Sequence, residues 1–136
     1  MSGLIDTGFL FAVLDETDLL QNACETALEN EIAPLLPDVV LTELAYLVIR
    51  DLGYDVLIKF LRAVASGELT LIAAEPQDLK RAADILEEYA DSKIDFVDSV
   101  VMAIAERLNI KRILTVDRRD FGMFRPAHCE FFEIVP

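Results

Sequence analysis

Residues 97–117 read VDSVVMAIAERLNIKRILTVD, a stretch in which a helical segment is followed by a strand. Residues 97–108 have the length and apolar content of a buried helix, which Asp95 or a near neighbour caps. Residues 112–116 form a short apolar run that ends at Asp117, as a buried strand would. Helix and strand in direct succession indicate an α/β domain with a mostly parallel sheet.

The same alternation continues on both sides of this stretch. Strands are predicted at residues 4–5, 69–73 and 131–135, with a short strand or connector at 33–37. Helices are predicted at residues 9–14, 21–30, 39–50, 54–65 and 76–89, with Asp38 as the N-cap of the third and Gly53 just beyond its end. The strands are almost uniformly apolar, which is expected when helices cover both faces of a sheet.

Length and composition fit one folded domain over residues 1–136. Hydrophobic residues make up 54% of the chain and charged residues 27%, which excludes a disordered tail and a collagen-like repeat. The net charge of −13 argues against a protein that coats DNA nonspecifically, because such proteins bind through basic surface. It leaves room for a nucleic-acid enzyme, since a metal ion and a local basic rim can offset the repulsion from phosphate.

The cysteines, the histidine and the apolar segments indicate a cytoplasmic protein. Cys24 and Cys129 form no CxxC pattern, and His128 is the one histidine, so there is no usual zinc-ligand set and no disulfide framework. We expect the cysteines to be small core residues and His128 to lie at the surface. Asp6 interrupts the first apolar run, and no stretch approaches the roughly 18 uncharged apolar residues of a membrane span.

Four acids stand in unusually apolar surroundings. Asp6 and Asp117 each end a predicted strand, so both would leave a parallel sheet at one edge, where α/β folds bind ligands. Glu43 is the only charge between Asp38 and Arg50, and Asp98 opens an apolar helix. Each also has an ordinary interpretation: a turn aspartate, a solvent-facing helix edge, or an acid that interacts favourably with the helix dipole.

Together, these acids predict a metal site. Four carboxylates near one sheet edge repel one another and raise each other's pKa, and a divalent cation relieves that repulsion. Ligands that are all oxygen favour Mg²⁺ or Mn²⁺ over Zn²⁺. Such a site suits the hydrolysis of phosphodiesters, in which metal ions activate water and neutralise the leaving group.

Four segments of the chain resemble, in order, the motifs of PIN-domain ribonucleases. They are LIDTGFLFAVLD at 4–15, VVLTELAYL at 39–47, DFVDSVVMAIAERLNI at 95–110 and RILTVDRRDF at 112–121. The resemblance runs from near residue 4 to near residue 124. It implies a three-layer α/β/α sandwich and a metal-dependent endoribonuclease that leaves a 5′-phosphate. Many small prokaryotic members, the VapC-like toxins among them, are paired with an antitoxin.

The resemblance also assigns roles to residues by position. Asp6, Glu43, Asp98 and Asp117 match the four acids that are catalytic and hold Mg²⁺ or Mn²⁺, with Glu43 binding the metal or orienting the attacking water. The supporting residues are Thr7, Thr115, Asp120 and Asp95, the last of which is either an N-cap or a supporting ligand. Arg118 and Arg119 either meet substrate phosphates or are ordinary solubilising charge.

Several alternatives remain open at this stage. A receiver-like phospho-acceptor domain also gathers acids at strand ends, and a non-catalytic interaction module would keep the fold without the activity. Among nucleases, a toxin with an antitoxin partner and a stand-alone RNA-processing enzyme both remain open. A homodimer is expected if one set of helical apolar residues is a dimer surface rather than core; the set is Tyr46, Leu47, Ile49, Leu57, Ile58 and Leu61.

Overall fold

A five-stranded parallel sheet organises residues 2–136, the part of the chain that the computed structural model describes. The strands are β1 (Leu4–Ile5), β2 (Leu35–Pro37), β3 (Thr70–Ile72), β4 (Arg112–Leu114) and β5 (Glu133–Val135). Their order across the sheet is β3-β2-β1-β4-β5, and all four neighbouring pairs are parallel. The prediction of a mostly parallel sheet of short strands is therefore confirmed.

Helices flank this sheet and give the predicted three-layer α/β/α sandwich. They are α1 (Thr7–Leu14), α2 (Gln21–Glu29), α3 (Asp38–Asp51), α4 (Tyr54–Ala65), α5 (Pro76–Glu88), α6 (Phe96–Arg107) and α7 (Arg118–Met123), with a 3-10 turn at Ala90–Ser92. Gly53 has a φ of 95°, a left-handed conformation that glycine adopts without strain, and it separates α3 from α4 as predicted. No helix within residues 2–136 is long and apolar enough to cross a bilayer.

The core is built from the central strands and from α6. The side chains of Leu4, Ile5, Ile113 and Leu114 are completely buried, and residues 98–105 of α6 are all buried. A helix buried along so much of its length must be apolar nearly all round, which explains the run SVVMAIA. Burial of each large side chain contributes about 1.5–3 kcal/mol relative to exposure.

The two edge strands, β3 and β5, do not follow the expectation of uniform burial, and β5 has one exposed and two half-buried residues. In β3, Thr70 and Leu71 are exposed, and Leu71 shows 49% of its surface. β3 is an edge strand with a neighbour on one side only. The prediction that the strands are covered on both faces is therefore wrong for β3 and β5, because the apolar run by itself does not show which strands form the edges.

Local structure differs from the prediction at three other places. Pro37, not Asp38, is the N-cap of α3, and Asp38 Oδ1 instead accepts a 3.2 Å hydrogen bond from the backbone N–H of Ala74, in the loop after β3. The prediction of Asp38 as N-cap is wrong because its carboxylate instead binds the backbone N–H of Ala74, which is distant in sequence and has no other hydrogen-bond partner within residues 2–136. The short helix α7 and the 3-10 turn were not expected, since both are shorter than a periodic apolar pattern can reveal.

The register of the central strands brings together the residues that follow β1 and β4. Leu4 and Ile5 of β1 lie opposite Ile113 and Leu114 of β4, and Asp6 N–H donates a 2.9 Å hydrogen bond to the carbonyl of Leu114. The sheet order places β2 on one side of β1 and β4 on the other, so β1 and β4 flank the point where the strand order reverses. In open α/β sheets the crevice at this switch point, beyond the carboxyl ends of the strands, is where ligands bind.

Candidate active site

A threonine hydroxyl links the acids that follow the two central strands. Thr115, which follows β4, donates a 2.8 Å hydrogen bond from Oγ1 to Oδ2 of Asp6, which follows β1. The same Oγ1 accepts a 2.9 Å hydrogen bond from the backbone N–H of Asp117. Asp6 is the N-cap of α1, but its side chain makes no capping hydrogen bond there. Its carboxylate therefore faces the neighbouring strand, and Thr115 holds it in place.

Two helix N-termini place the other acids by the same local device. Asp95 is the N-cap of α6, and its Oδ1 accepts a 2.8 Å hydrogen bond from the N–H of Asp98. Asp117 is the N-cap of α7, and its Oδ1 accepts a 2.9 Å hydrogen bond from the N–H of Asp120. Capping by Asp95 confirms one of the two roles considered for it. Both acid pairs follow the spacing D-x-x-D, in which the first acid satisfies an N–H that the helix leaves free.

Three of these carboxylates converge. One oxygen from each of Asp98, Asp117 and Asp120 lies within 4.8 Å of the other two. Asp98 and Asp120 are buried and Asp117 is half-buried. Carboxylate oxygens are the ligands that hard divalent cations prefer, so this donor set is of the type that can hold a divalent metal ion.

The electrostatics of the cluster are those of crowded, buried anions. Burial raises the pKa of Asp98 to about 9, helped by the negative charges of Asp6, Asp95, Asp117 and Asp120. Burial also raises the pKa of Asp6 to about 6, although the hydrogen bond from Thr115 works in the opposite direction. Asp120 has a raised pKa as well, mainly through burial and then through the charge of Asp117. Burial is the main cause of these raised pKa values, and a bound cation would relieve the smaller part that comes from repulsion between the carboxylates.

Glu43 and Thr7 occupy different surroundings from the cluster. Glu43 is half-buried on α3 and is not among the acids that meet within 4.8 Å; within residues 2–136 its carboxylate has no hydrogen-bond or ion-pair partner. Thr7 is buried directly after Asp6, and its Oγ1 has no hydrogen-bond partner in the described part of the chain. A buried hydroxyl without a partner is costly, and one placed next to a site acid has hydrogen-bonding capacity to offer there.

The two arginines after Asp117 are at the surface, with their guanidinium groups already engaged. Arg119 donates to Asp120 Oδ1 at 2.7 Å and to the carbonyl of Ser92 at 3.3 Å, and its side chain is 70% exposed. Arg118 donates to the carbonyl of Pro136. Arg119 thus connects the segment before α6 to α7 at the margin of the acid cluster.

The remaining predicted residues lie outside the cluster. His128 is half-buried, and its Nε2 donates a 2.6 Å hydrogen bond to the carbonyl of Ile110, so the ring is partly enclosed rather than fully at the surface. Cys24 is a core residue as predicted, Cys129 is half-buried, and both are free thiols. No disulfide is present between them.

The sequence predicts Asp120 as a supporting residue, whereas the structure brings its carboxylate into the three-acid group. The signal that could have revealed this is the repeated D-x-x-D spacing at 95–98 and 117–120. Each pair predicts a helix N-terminus, and two such termini at one sheet edge predict acids in contact.

Fold and site together define a class: α/β proteins that gather carboxylates at the switch point of a parallel sheet. The sequence matches the PIN domain family over residues 3–124, and the chain belongs to that family. Its sheet order also differs from the 2-1-3-4-5 order of receiver-like folds, which decides against that alternative.

Comparison with individual proteins narrows the relationship to VapC proteins. The chain is 31% identical over 134 residues to Ribonuclease VapC26 of Mycobacterium tuberculosis (strain ATCC 25618 / H37Rv), covering 98% of this chain and 99% of the relative. The crystal structure of Mycobacterium tuberculosis VapC20, a sarcin-ricin loop cleaving toxin, is similar with a TM-score of 0.84 at 17% identity, over 96% of this chain and 99% of that one. VapBC2 from Rickettsia felis, bound to a DNA fragment from its promoter, is similar over the whole of both chains with a TM-score of 0.72 at 18% identity.

Proposed function

We propose that this protein is a metal-dependent endoribonuclease that hydrolyses RNA phosphodiester bonds and is the toxin of a toxin–antitoxin pair. The observation that carries the proposal is the convergence of Asp98, Asp117 and Asp120 beside the buried Asp6, at the switch point of a PIN-domain sheet. Its relative VapC26 is named a ribonuclease, which supports the same chemistry here. We also propose that residues 1–136 form one domain and that the protein acts in the cytoplasm.

Asp6, Asp98 and Asp117 are the proposed metal ligands, with Asp120 beside them and Mg²⁺ or Mn²⁺ as the ion. These carboxylates offer only oxygen ligands, and they repel one another in the metal-free protein. Relief of this repulsion favours the binding of a cation. A bound divalent cation supplies charge neutralisation on the phosphate and lowers the pKa of the attacking water. Asp95 supports the ligands by capping α6 and thereby positioning Asp98.

The other site residues position water and acids. Within residues 2–136 the Glu43 carboxylate has no partner, which suits it to bind the metal, directly or through water, or to orient the attacking water. Thr115 holds Asp6 through its hydroxyl, and Thr7, next to Asp6, has a buried hydroxyl that makes no hydrogen bond within residues 2–136 and can donate one. The attack on phosphorus is in line and leaves a 5′-phosphate.

Arg118 and Arg119 are proposed contacts for substrate phosphates. Both are exposed and lie directly after Asp117, and each retains guanidinium N–H groups beyond those used in its protein hydrogen bonds. In a chain with a net charge of −13, such a local basic rim is needed for a polyanion to approach.

An antitoxin is the proposed protein partner, supported by structural relatives that are toxin–antitoxin complexes. A groove of about 320 Å³ lies between α1, α2 and α4, and it is lined mainly by apolar side chains such as Leu10, Leu28 and Phe60. Glu29 and Glu68 are exposed on its rim. Apolar lining with acidic margins fits an antitoxin segment that carries apolar and basic side chains.

A homodimer is the proposed assembly. Four of the six helical apolar residues named above are exposed on α3 and α4 by 41–66%, namely Tyr46, Ile49, Ile58 and Leu61, while Leu57 is buried. Apolar surface on two successive helices favours contact with a second copy rather than with water.

Cleavage of RNA by the purified protein tests the proposed function. Labelled RNA should be cut with Mg²⁺ or Mn²⁺ and remain intact with EDTA, and Asp117→Asn should abolish most of the cleavage. Asp84→Asn, which removes an exposed acid on α5, is the matched control and should cleave normally. Absence of cleavage by the wild type with either ion, or equal cleavage by Asp117→Asn, would overturn the proposal.

A further inference from the structure

A half-exposed aromatic residue lies at the N-terminus of the helix that carries Asp98. Phe96 is the first residue of α6 and has 52% of its surface exposed, whereas residues 98–105 of the same helix are buried. It lies between Asp95, which caps the helix, and Asp98, which belongs to the cluster. In an α-helix, Cα atoms two residues apart are about 5.4 Å from each other. The exposed apolar ring therefore occurs at the end of the helix that carries the site acid.

The segment that presents this ring is held by the protein on both sides. Lys93 has a left-handed φ of 56°, and its N–H donates to the carbonyls of Tyr89 and Ala90 at 3.2 and 3.3 Å. Arg119 joins the carbonyl of Ser92 to Asp120, and Ile94 is buried. Phe96 thus follows an anchored segment at the margin of the site, where Lys93 and Arg119 are also exposed.

We propose that Phe96 stacks on an unpaired base of the RNA, next to the phosphate that is cleaved. This inference rests on the proposed ribonuclease function. An aromatic face stacks on any base, but only on a base that has left its own stack, and duplex RNA keeps its bases inside. In a chain of net charge −13, stacking also supplies attraction that does not depend on phosphate contacts.

Steady-state cleavage of a single-stranded RNA separates stacking from a structural role. Phe96→Ala and Phe96→Leu should each raise KM about tenfold, the typical loss of one base–aromatic contact, and leave kcat within about twofold. Phe96→Tyr, which keeps the aromatic face, should match the wild type. The matched control is Phe131→Ala: Phe131 is 60% exposed but precedes β5, at the opposite end of the parallel strands from the acids, and its loss should change neither constant.

A leucine variant equal to the wild type would overturn the inference, because apolar bulk without a π face would then suffice. Unchanged KM in Phe96→Ala would overturn it as well. A wild-type protein that cleaves no RNA would instead refute the proposed function, so the two failures are distinguishable.

A binding measurement supplies a second readout that needs no turnover. The chain contains no tryptophan, so Phe96→Trp introduces a fluorophore at the proposed contact. In the Asp117→Asn background, single-stranded RNA should quench this fluorescence strongly, while duplex RNA of the same sequence should not, and Phe131→Trp should respond to neither. Equal quenching by duplex RNA, or no quenching by single-stranded RNA, would overturn the inference even if Phe96→Ala proved unstable.

Discussion

The hydroxyl of Thr115 donates a 2.8 Å hydrogen bond to Oδ2 of Asp6, across 109 positions of sequence. The contact exists because β1 and β4 are parallel neighbours in register, so the residues that follow the two strands leave the sheet side by side. The hydrogen bond stabilises the ionised form of Asp6 against the effect of burial. It therefore keeps a buried carboxylate available to bind a cation.

Removal of this hydroxyl tests its importance. Thr115→Val preserves the volume but removes the donor, and the pKa of Asp6 should rise further because burial is then opposed by fewer hydrogen bonds. We expect the rate of RNA cleavage to fall about 10- to 100-fold, as for other residues that orient metal ligands. Thr115→Ser retains the hydroxyl and should lose little. Full activity in the valine variant would show that Asp6 does not need this contact.

Glu43 requires a test because the structure does not place it among the converging acids. Glu43→Gln removes the charge and keeps the shape. If Glu43 binds the metal or orients water, cleavage should fall by roughly 10² or more, with an unchanged melting temperature. Glu87→Gln, an exposed acid on α5, serves as the control. Near-normal cleavage by pure Glu43→Gln would show that the residue is only an acid on a half-buried helix face.

Metal binding should stabilise the folded protein. A cation bound by Asp6, Asp98 and Asp117 relieves their repulsion, and at a concentration near 100 times Kd the free energy of unfolding should increase by about 2.7 kcal/mol. Thermal melts with and without Mn²⁺, together with calorimetric titration, measure this directly. Asp98→Asn should lose most of the increase. A melting temperature that saturating Mn²⁺ leaves unchanged, with no heat of binding, would count strongly against a metal site.

The raised pKa values predict how the metal-free stability depends on pH. Asp98 has a pKa of about 9 and Asp6 a pKa of about 6 in the folded protein, against 3.8 for an ordinary aspartate. For each residue, between pH 3.8 and its raised pKa, the folded state holds a proton that the unfolded state has released. The free energy of unfolding therefore decreases as pH rises through this range. The favourable contribution is complete below about pH 4 and is lost through pH 6 for Asp6 and through pH 9 for Asp98.

Urea denaturation in EDTA across this pH range checks the sign. Asp98→Asn should flatten the decline above pH 6, whereas Asp84→Asn should leave it unchanged. The assignment of Asp98 as a crowded, buried acid would be contradicted if the free energy of unfolding of the wild type, relative to that of Asp98→Asn, increased from pH 5 to pH 9.

The last prediction concerns Asp6 and Asp117 as parts of one centre. Asp6→Asn and Asp117→Asn should each abolish most RNA cleavage, and the double variant should be hardly worse than either single variant, because residues that act on one centre are strongly non-additive. Neither substitution should harm the metal-free fold, since each removes a charge from a repulsive group. Cleavage with Mn²⁺ and metal-free melts of all four proteins test both statements. Losses that multiply would indicate independent roles, and metal-free unfolding of a single variant would indicate a structural cap.

Local sequence was sufficient to predict the kinds of element and several of their ends. The apolar runs before Asp6 and Asp117 predicted the two central strands, and Asp95 was correctly considered as the cap of α6 because an N-cap acts on a residue only three positions away. Gly53 likewise marks the junction of α3 and α4 through its own backbone conformation. Such features depend on residues close together in the chain, where spacing and residue type determine the geometry.

Tertiary structure decided which residues meet. Asp98 and Asp120 are 22 positions apart, and their carboxylates converge because the N-termini of α6 and α7 pack at the same sheet edge. Asp38 accepts a hydrogen bond from the N–H of Ala74, 36 positions away. Leu71 is exposed because β3 forms an edge of the sheet. A pattern of apolar and polar residues determines which face of an element is buried. It does not determine which elements become neighbours, because that depends on packing between segments far apart in the sequence.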